Sequence, residues 1–188
     1  MLHGRAVGAD GESAGDLVFN TAMSGYHEIL TDPSYAGQAV VMTYPLIGNY
    51  GVAEMDAESD GAWAEAFIVK EMSSIHSNHR ADSSLPNWLA QNGVVAIEGV
   101  DTRLLTKLIR TEGSLRCVVS TTDHDAESLV AKARAAQATD GRDLASHVSC
   151  KTPYRWKEAY HESYPAWIPD HAGPRIPIVA YDLSLIHI

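Results

Sequence analysis

The sequence predicts a mixed fold in which strands and helices alternate, α/β or α+β. Three observations predict it. Apolar β-rich runs recur at 38–44 (QAVVMTY), 94–100 (VVAIEGV) and 116–121 (RCVVST). The segment 102–113 (TRLLTKLIRTEG) sets Leu104, Leu105, Leu108 and Ile109 on one helical face. An alanine-rich helix at 126–138 follows the last of those runs.

From the beginning of the chain, 3–7 (HGRAV) reads as a strand and 8–15 (GADGESAG) as a turn-rich loop. Residues 16–20 (DLVFN) alternate into a second strand, and 24–30 reads as a helix. Asp32-Pro33-Ser34 supplies a turn or a new helix start, with Asp32 as N-cap and Pro33 at the first position. Pro45 ends the 38–44 strand, and glycines and acidic residues make 45–61 a loop. A strand at 65–71 and a short helix at 83–92 follow, with Gly93 just past the helix end. The 94–100 run is a buried strand, after which Asp101 caps the 102–113 helix and Gly113 closes it. Residues 139–173, with Trp156 and Trp167, read as a packed linker, and 176–181 (IPIVAY) begins another apolar strand.

The chain has 188 residues, suited to one large domain or one domain plus part of a second. At 45% hydrophobic and 20% charged residues it has enough apolar mass for a core. With 24 acidic against 14 basic residues the net charge is −10, and no basic stripe offers phosphates a cationic footprint. Nucleic acid and anionic membranes are therefore not expected partners. No apolar run approaches ~18 residues, so no membrane span is expected. Cys117 and Cys150 form neither a CxxC pair nor a cluster. With no signal-like segment and no Asn-x-Ser/Thr sequon, both are expected to be reduced thiols of a cytoplasmic protein.

Several motifs match only in form. Gly11-Glu12-Ser13-Ala14-Gly15 spells GxSxG, but the nucleophile elbow needs a strand before the serine and a helix after it. Here a loop precedes and a strand follows. His27-Glu28 and His161-Glu162 each start HExxH, but Thr31 and Pro165 stand where the second histidine is required. No GxxxxGK[ST] or GxGxxG cradles a phosphate. Cys117 sits in an apolar strand, which disfavours a reactive thiolate, and is read as structural. The informative stretch is 19–35, FNTAMSGYHEILTDPSY. A strand, helix and turn would explain Asp32 and Pro33. The concentration of hydroxyls, a carboxylate and tyrosines suits a docking or ligand surface better.

These residues resemble the small chain, the glutamine amidotransferase subunit, of carbamoyl-phosphate synthase. HGRAVGA (3–9), FNTAMSGYHEILTDPSYAGQAVVMTYPLIGNYG (19–51), SNHR (77–80), AIEGVDTRLLTKLIR (96–110) and VAYD (179–182) keep the family's order and spacing. The resemblance implies an α/β chain whose 1–138 portion is a layered β/β/α, swivelling-type domain. Residues 139–175 would be a packed linker and 176–188 the start of a class I glutaminase domain. It also implies a subunit that docks on a large chain. That large chain makes carbamoyl phosphate from bicarbonate, glutamine-derived ammonia and two ATP, for arginine and pyrimidine synthesis. ATP and Mg would belong to the large chain, leaving this chain without a cofactor or a metal of its own.

Ser34 matches the family's TDPSY serine, which helps bind glutamine, and Thr31, Asp32 and Tyr35 would support its loop. The family's Cys–His–Glu triad has no counterpart in these residues, so no catalytic residue is assigned here. The match stops at Asp182, so both ends are expected to be cut and 183–188 to be non-native. On that reading the isolated chain is expected to aggregate or oligomerise, through the unpaired edge left beside HGRAV and the apolar 176–188 end. The alternatives are a stand-alone binding or scaffold module and, through Ser13, a serine hydrolase.

Overall fold

A computed structural model describes residues 1–155 and 177–180. The chain divides into two compact units, Met1–Leu144 and Ala145–Ile188. The first holds a mixed six-stranded sheet. Its strands are β1 (Arg5–Ala6), β2 (Glu12–Asn20), β3 (Gln38–Met42), β5 (Ala66–Ile68), β7 (Val95–Glu98) and β8 (Leu115–Ser120). They lie in the order β1-β7-β5-β3-β2-β8. The central four strands run parallel, and β1 and β8 are antiparallel edges. A two-stranded parallel ribbon pairs β4 (Leu46–Ile47) with β6 (Glu71–Met72).

Parallel strands are normally buried on both faces, and β3 follows that rule. Val40 and Met42 point into one apolar cluster, while Ala39 and Val41 point into the other. Phe67 and Ala96 join the first face; Ala66, Ile68 and Val95 join the second. The first face is covered by α1 (Tyr26–Thr31) and α2 (Leu85–Gln91), through Ile29, Leu30, Leu85 and Leu89. The second is covered by α3 (Thr102–Glu112) through Leu105 and Ile109. Asp101 caps α3 by accepting from the Leu104 N–H, and Gly113 closes it at φ 86°, as the sequence predicts. A further helix, α4 (Ala126–Ala135), packs beside β8.

Polar contacts fasten the edges. Arg5 pairs with Glu98, whose other oxygen accepts from the Met72 N–H at 2.7 Å, so one carboxylate joins β1, β7 and β6. Asp16, nearly buried on β2, accepts from both the backbone N–H and the hydroxyl of Thr139 at 2.7 and 2.6 Å.

The structure corrects several sequence readings. Strand β2 begins at Glu12, inside the predicted 8–15 loop. Its glycine serves close packing: a Cβ on Gly15 would stand 2.6 Å from the carbonyl oxygen of Gly37, the residue just before β3. The 45–61 loop contains β4, which finds a partner only in the distant β6. The 65–71 strand is shorter, at Ala66–Ile68. The 126–138 helix stops at Ala135, and Leu144–Val148 forms a short helix, α5, within the predicted linker. Only 177–180 of the 176–181 strand are described; they carry no strand, and Ile178 and Val179 are exposed. In the second unit Lys151 donates to the Ser146 and His147 carbonyls. Trp156, Trp167, the His161-Glu162 pair, Asp182 and the 183–188 tail lie outside the described residues.

Gly15→Ala tests the close approach of β2 and β3. The added methyl meets rigid backbone, so the expected loss is ~1–3 kcal/mol of unfolding free energy. A urea midpoint equal to wild type would show that the two strands separate freely.

Candidate functional site

The 19–35 segment crosses from the end of β2, through α1, to a 3-10 turn at Pro33–Tyr35 that leads into β3. It therefore forms the connection between two parallel strands, from the carboxyl end of β2 to the amino end of β3. Helix α1 starts at Tyr26 rather than Ser24. Its N-cap, Gly25, is left-handed at φ 79° and offers no side-chain cap. Tyr50 substitutes: its hydroxyl accepts from the Gly25 and Tyr26 N–H groups, and its ring stacks on Tyr26 at 4.2 Å. Tyr26 in turn donates to the Gly51 carbonyl at 2.7 Å. Burial pushes both phenols upward, so both are neutral hydrogen-bonding groups.

Asp32 caps the 3-10 turn as the sequence predicts. Its Oδ1 accepts from the Ser34 N–H at 2.8 Å and from the Ser34 hydroxyl at 2.5 Å. Pro33 presets the first position of that turn. Ser34 is half-buried and hydrogen-bonds a carboxylate rather than an imidazole. No histidine pairs with the Ser34 hydroxyl, whose proton goes to the Asp32 carboxylate that caps the turn. Tyr35 accepts from Asn20 Nδ2 at 2.9 Å, and Asn20 Oδ1 accepts from the Ala22 N–H at 2.7 Å. Asn20 thus ties the end of β2 to the Ser34 turn.

Thr31, 1% exposed, holds the other side. Its hydroxyl donates to the His27 carbonyl at 2.8 Å and accepts from the Glu58 N–H at 2.9 Å. Its carbonyl accepts from the Ser59 hydroxyl, and Ser59 accepts from Trp63 Nε1. Thr31, Asp32, Ser34 and Tyr35 thus share one braced turn. Asn20, Tyr50, Glu58 and Ser59 are bracing residues that local patterns did not single out as site candidates. The strand-ending asparagine and the polar character of 45–61 were the available signals.

Two other candidates lie elsewhere. Ser13 sits inside β2, opposite Val119, with its hydroxyl 3.3 Å from Glu65. Strand on both sides of it removes the elbow geometry. Burial pushes the Cys117 thiol up to about 12, opposite to what a nucleophilic thiolate needs. Among the described residues no group of three or more His, Cys, Asp or Glu side chains converges as a metal site. No helix among them is long and apolar enough to cross a membrane.

Thr31→Val keeps the shape of the side chain and removes its hydroxyl. The Glu58 N–H loses its acceptor, and the expected cost is ~1–3 kcal/mol by chemical denaturation, with Thr31→Ser near wild type. Equal stability of all three proteins would reject the brace. A disulfide exchange reagent is expected to label Cys150 in the native state and Cys117 only after denaturation. Prompt native labelling of Cys117 would contradict its assignment as a packed thiol.

Comparison with known proteins accounts for the same stretch. Residues 1–119 match the family described as carbamoyl-phosphate synthase small chain, CPSase domain. The carbamoyl phosphate synthase small chain of Nitratidesulfovibrio vulgaris is 54% identical over 192 residues, covering 98% of this chain and 50% of that protein. That of Syntrophotalea carbinolica is 48% identical over 185 residues, covering 98% of this chain and 49% of its own. That of Thermotoga maritima is 52% identical over 151 residues, covering 80% and 38%. The chain spans about half the length of the first two relatives. A family match over most of the chain and identities near one half establish that the chain belongs to the carbamoyl-phosphate synthase small chain family.

Proposed function

We propose that this chain is the N-terminal part of the glutamine-hydrolysing subunit of carbamoyl-phosphate synthase, in which it docks on the large chain and borders the glutamine site. The observation that carries the reading is the braced turn. Ser34 is held half-buried by Asp32, between Thr31 and the Asn20–Tyr35 hydrogen bond, in a chain about half identical to small chains. A pinned hydroxyl of that kind orders one hydrogen bond to a polar ligand at low entropic cost. In this reading Ser34 contacts glutamine, while Thr31, Asp32 and Tyr35 hold its loop.

Hydrolysis falls to residues outside this chain, which supplies no catalytic residue. The ATP and Mg of the overall reaction, glutamine plus bicarbonate plus two ATP to carbamoyl phosphate, belong to the large chain. This chain uses no cofactor and works in the cytoplasm, in arginine and pyrimidine synthesis. The layered β/β/α swivelling-type assignment belongs to the same proposal, supported by a six-stranded and a two-stranded sheet with covering helices. So do the domain limits: 1–138 as the N-terminal domain, 139–175 as the linker and 176–188 as the start of the glutaminase domain.

The test has two arms. The chain is expected to co-purify with a large chain from a relative, and to release no ammonia from glutamine above background. Failure to co-purify would favour a stand-alone binding module, and ammonia release would refute the division of labour. In a small chain that includes the glutaminase residues, Ser34→Ala is expected to raise the glutamine KM about tenfold with kcat little changed, the loss of roughly one hydrogen bond. An unchanged KM would remove Ser34 from the site.

A further inference from the structure

Helix α1 carries a group that none of the foregoing uses. His27 is 2% exposed, and neither ring nitrogen has a hydrogen-bond partner. Its ring stands edge-on to Trp88 of α2 at 4.8 Å between centroids. Buried polar groups are almost always paired, so an imidazole with both nitrogens unpaired requires an account. The same helix ends at Thr31, whose hydroxyl takes the His27 carbonyl, and Asp32 follows to cap the Ser34 turn. His27 and Ser34 are thus connected through one helical turn and its C-terminal cap.

We propose that His27 is an acid-sensitive release for α1: protonation of the buried imidazole drives it from its seat against Trp88 and loosens the turn that presents Ser34. The proposal concerns conformation alone and stands whether or not that turn binds glutamine. The seat favours a neutral ring, because an imidazolium needs two acceptors and finds at most the Ala53 backbone close by.

Burial and the surrounding charges act on His27 in opposite directions. Burial is the largest influence on His27 and lowers its pKa from 6.5, while the nearby Ala53 backbone and the carboxylates of Asp56 and Asp82 partly oppose it. Asp56 is already engaged, in an ion pair with Arg80 at 2.8 Å. Glu28, beside His27 on α1, is raised by burial, and its Oε2 is also unpaired. Its sign is opposite: protonating Glu28 relieves a buried charge, so acidification stabilises the fold through Glu28.

For His27 the folded state binds its proton less readily than the unfolded chain. Its contribution to stability is complete above the unfolded value of 6.5 and is lost as pH falls from there through the lower folded value. One proton bounds the slope at tenfold in the opening equilibrium per pH unit. Histidine is the side chain that ordinarily titrates in this range.

The experiment measures amide hydrogen-exchange protection on the whole chain between pH 7.5 and 5.5, with the imidazole resonances of His27 followed in parallel. The probes are the Ser34 and Tyr35 amides, with Val41 in the core as reference. In wild type, protection at Ser34 and Tyr35, corrected for intrinsic exchange, is expected to fall severalfold to tenfold below pH 6.5 while Val41 holds. His27→Met, apolar and of similar length, is expected to flatten that dependence. Should His27→Met not fold, the wild-type arm decides alone: loss of protection must coincide with titration of the His27 ring. PH-independent protection in wild type, an equal fall in His27→Met, or a His27 ring that titrates with Ser34 still protected would each overturn the proposal.

Discussion

The burial of β3 on both faces is the constraint from which the rest follows. Val40 and Met42 on one side and Ala39 and Val41 on the other are each at most 1% exposed. A strand with no wet face must be flanked by strands that are also parallel or protected, and both sheet faces must carry cover. Parallel neighbours demand crossover connections of some length. The connection from β2 to β3 is the segment holding α1 and the Ser34 turn. The candidate site is therefore part of the crossover that lets β2 and β3 lie parallel. Its location is a topological consequence, and only its chemistry was free to vary.

That distinction explains what could be read from the sequence. The run QAVVM has no polar alternation, and such a run between turn residues reads correctly as a core strand. Asp101, Gly113, Asp32 and Pro33 act within a few residues of themselves, so their capping roles were legible. The first half of β2 was not, because Gly11 and Gly15 carry a loop signature locally while Gly15 is required by the approach of Gly37. Strands β4 and β6, two residues each, have no periodicity to detect and exist only through each other. The four residues of the Ser34 neighbourhood could be named from the sequence, but what braces them could not. Glu58 and Ser59 reach Thr31 across a long loop, and that kind of contact leaves no local pattern.

Serine occurs twice at positions a motif search would flag, and physics separates the two. Ser13 has the flanking glycines of a nucleophile elbow, yet Gly15 serves the close approach to Gly37 and the hydroxyl faces a carboxylate on a neighbouring segment. Ser34 has no such motif, yet it sits on a tight turn at the end of a crossover, with its backbone N–H and hydroxyl both fixed by Asp32. An ordered hydroxyl on a rigid turn loses little entropy on binding a ligand.

The polar groups around α1 divide in the same way. Tyr26, Tyr50 and Thr31 have their hydrogen bonds satisfied and stiffen the segment; His27 and one oxygen of Glu28 do not. A fully apolar residue at 27 would pack against Trp88 without the cost of an unpaired imidazole, so stability alone does not account for histidine there. A segment built to be rigid throughout would have no reason to keep two unsatisfied titratable groups in adjacent positions of its central helix. Their opposite responses to acid, one loosening and one tightening, mean that the helix senses pH through a difference of two terms. Burial moves the two groups in opposite directions, His27 down and Glu28 up, so each disfavours its own charged form at the same buried helix.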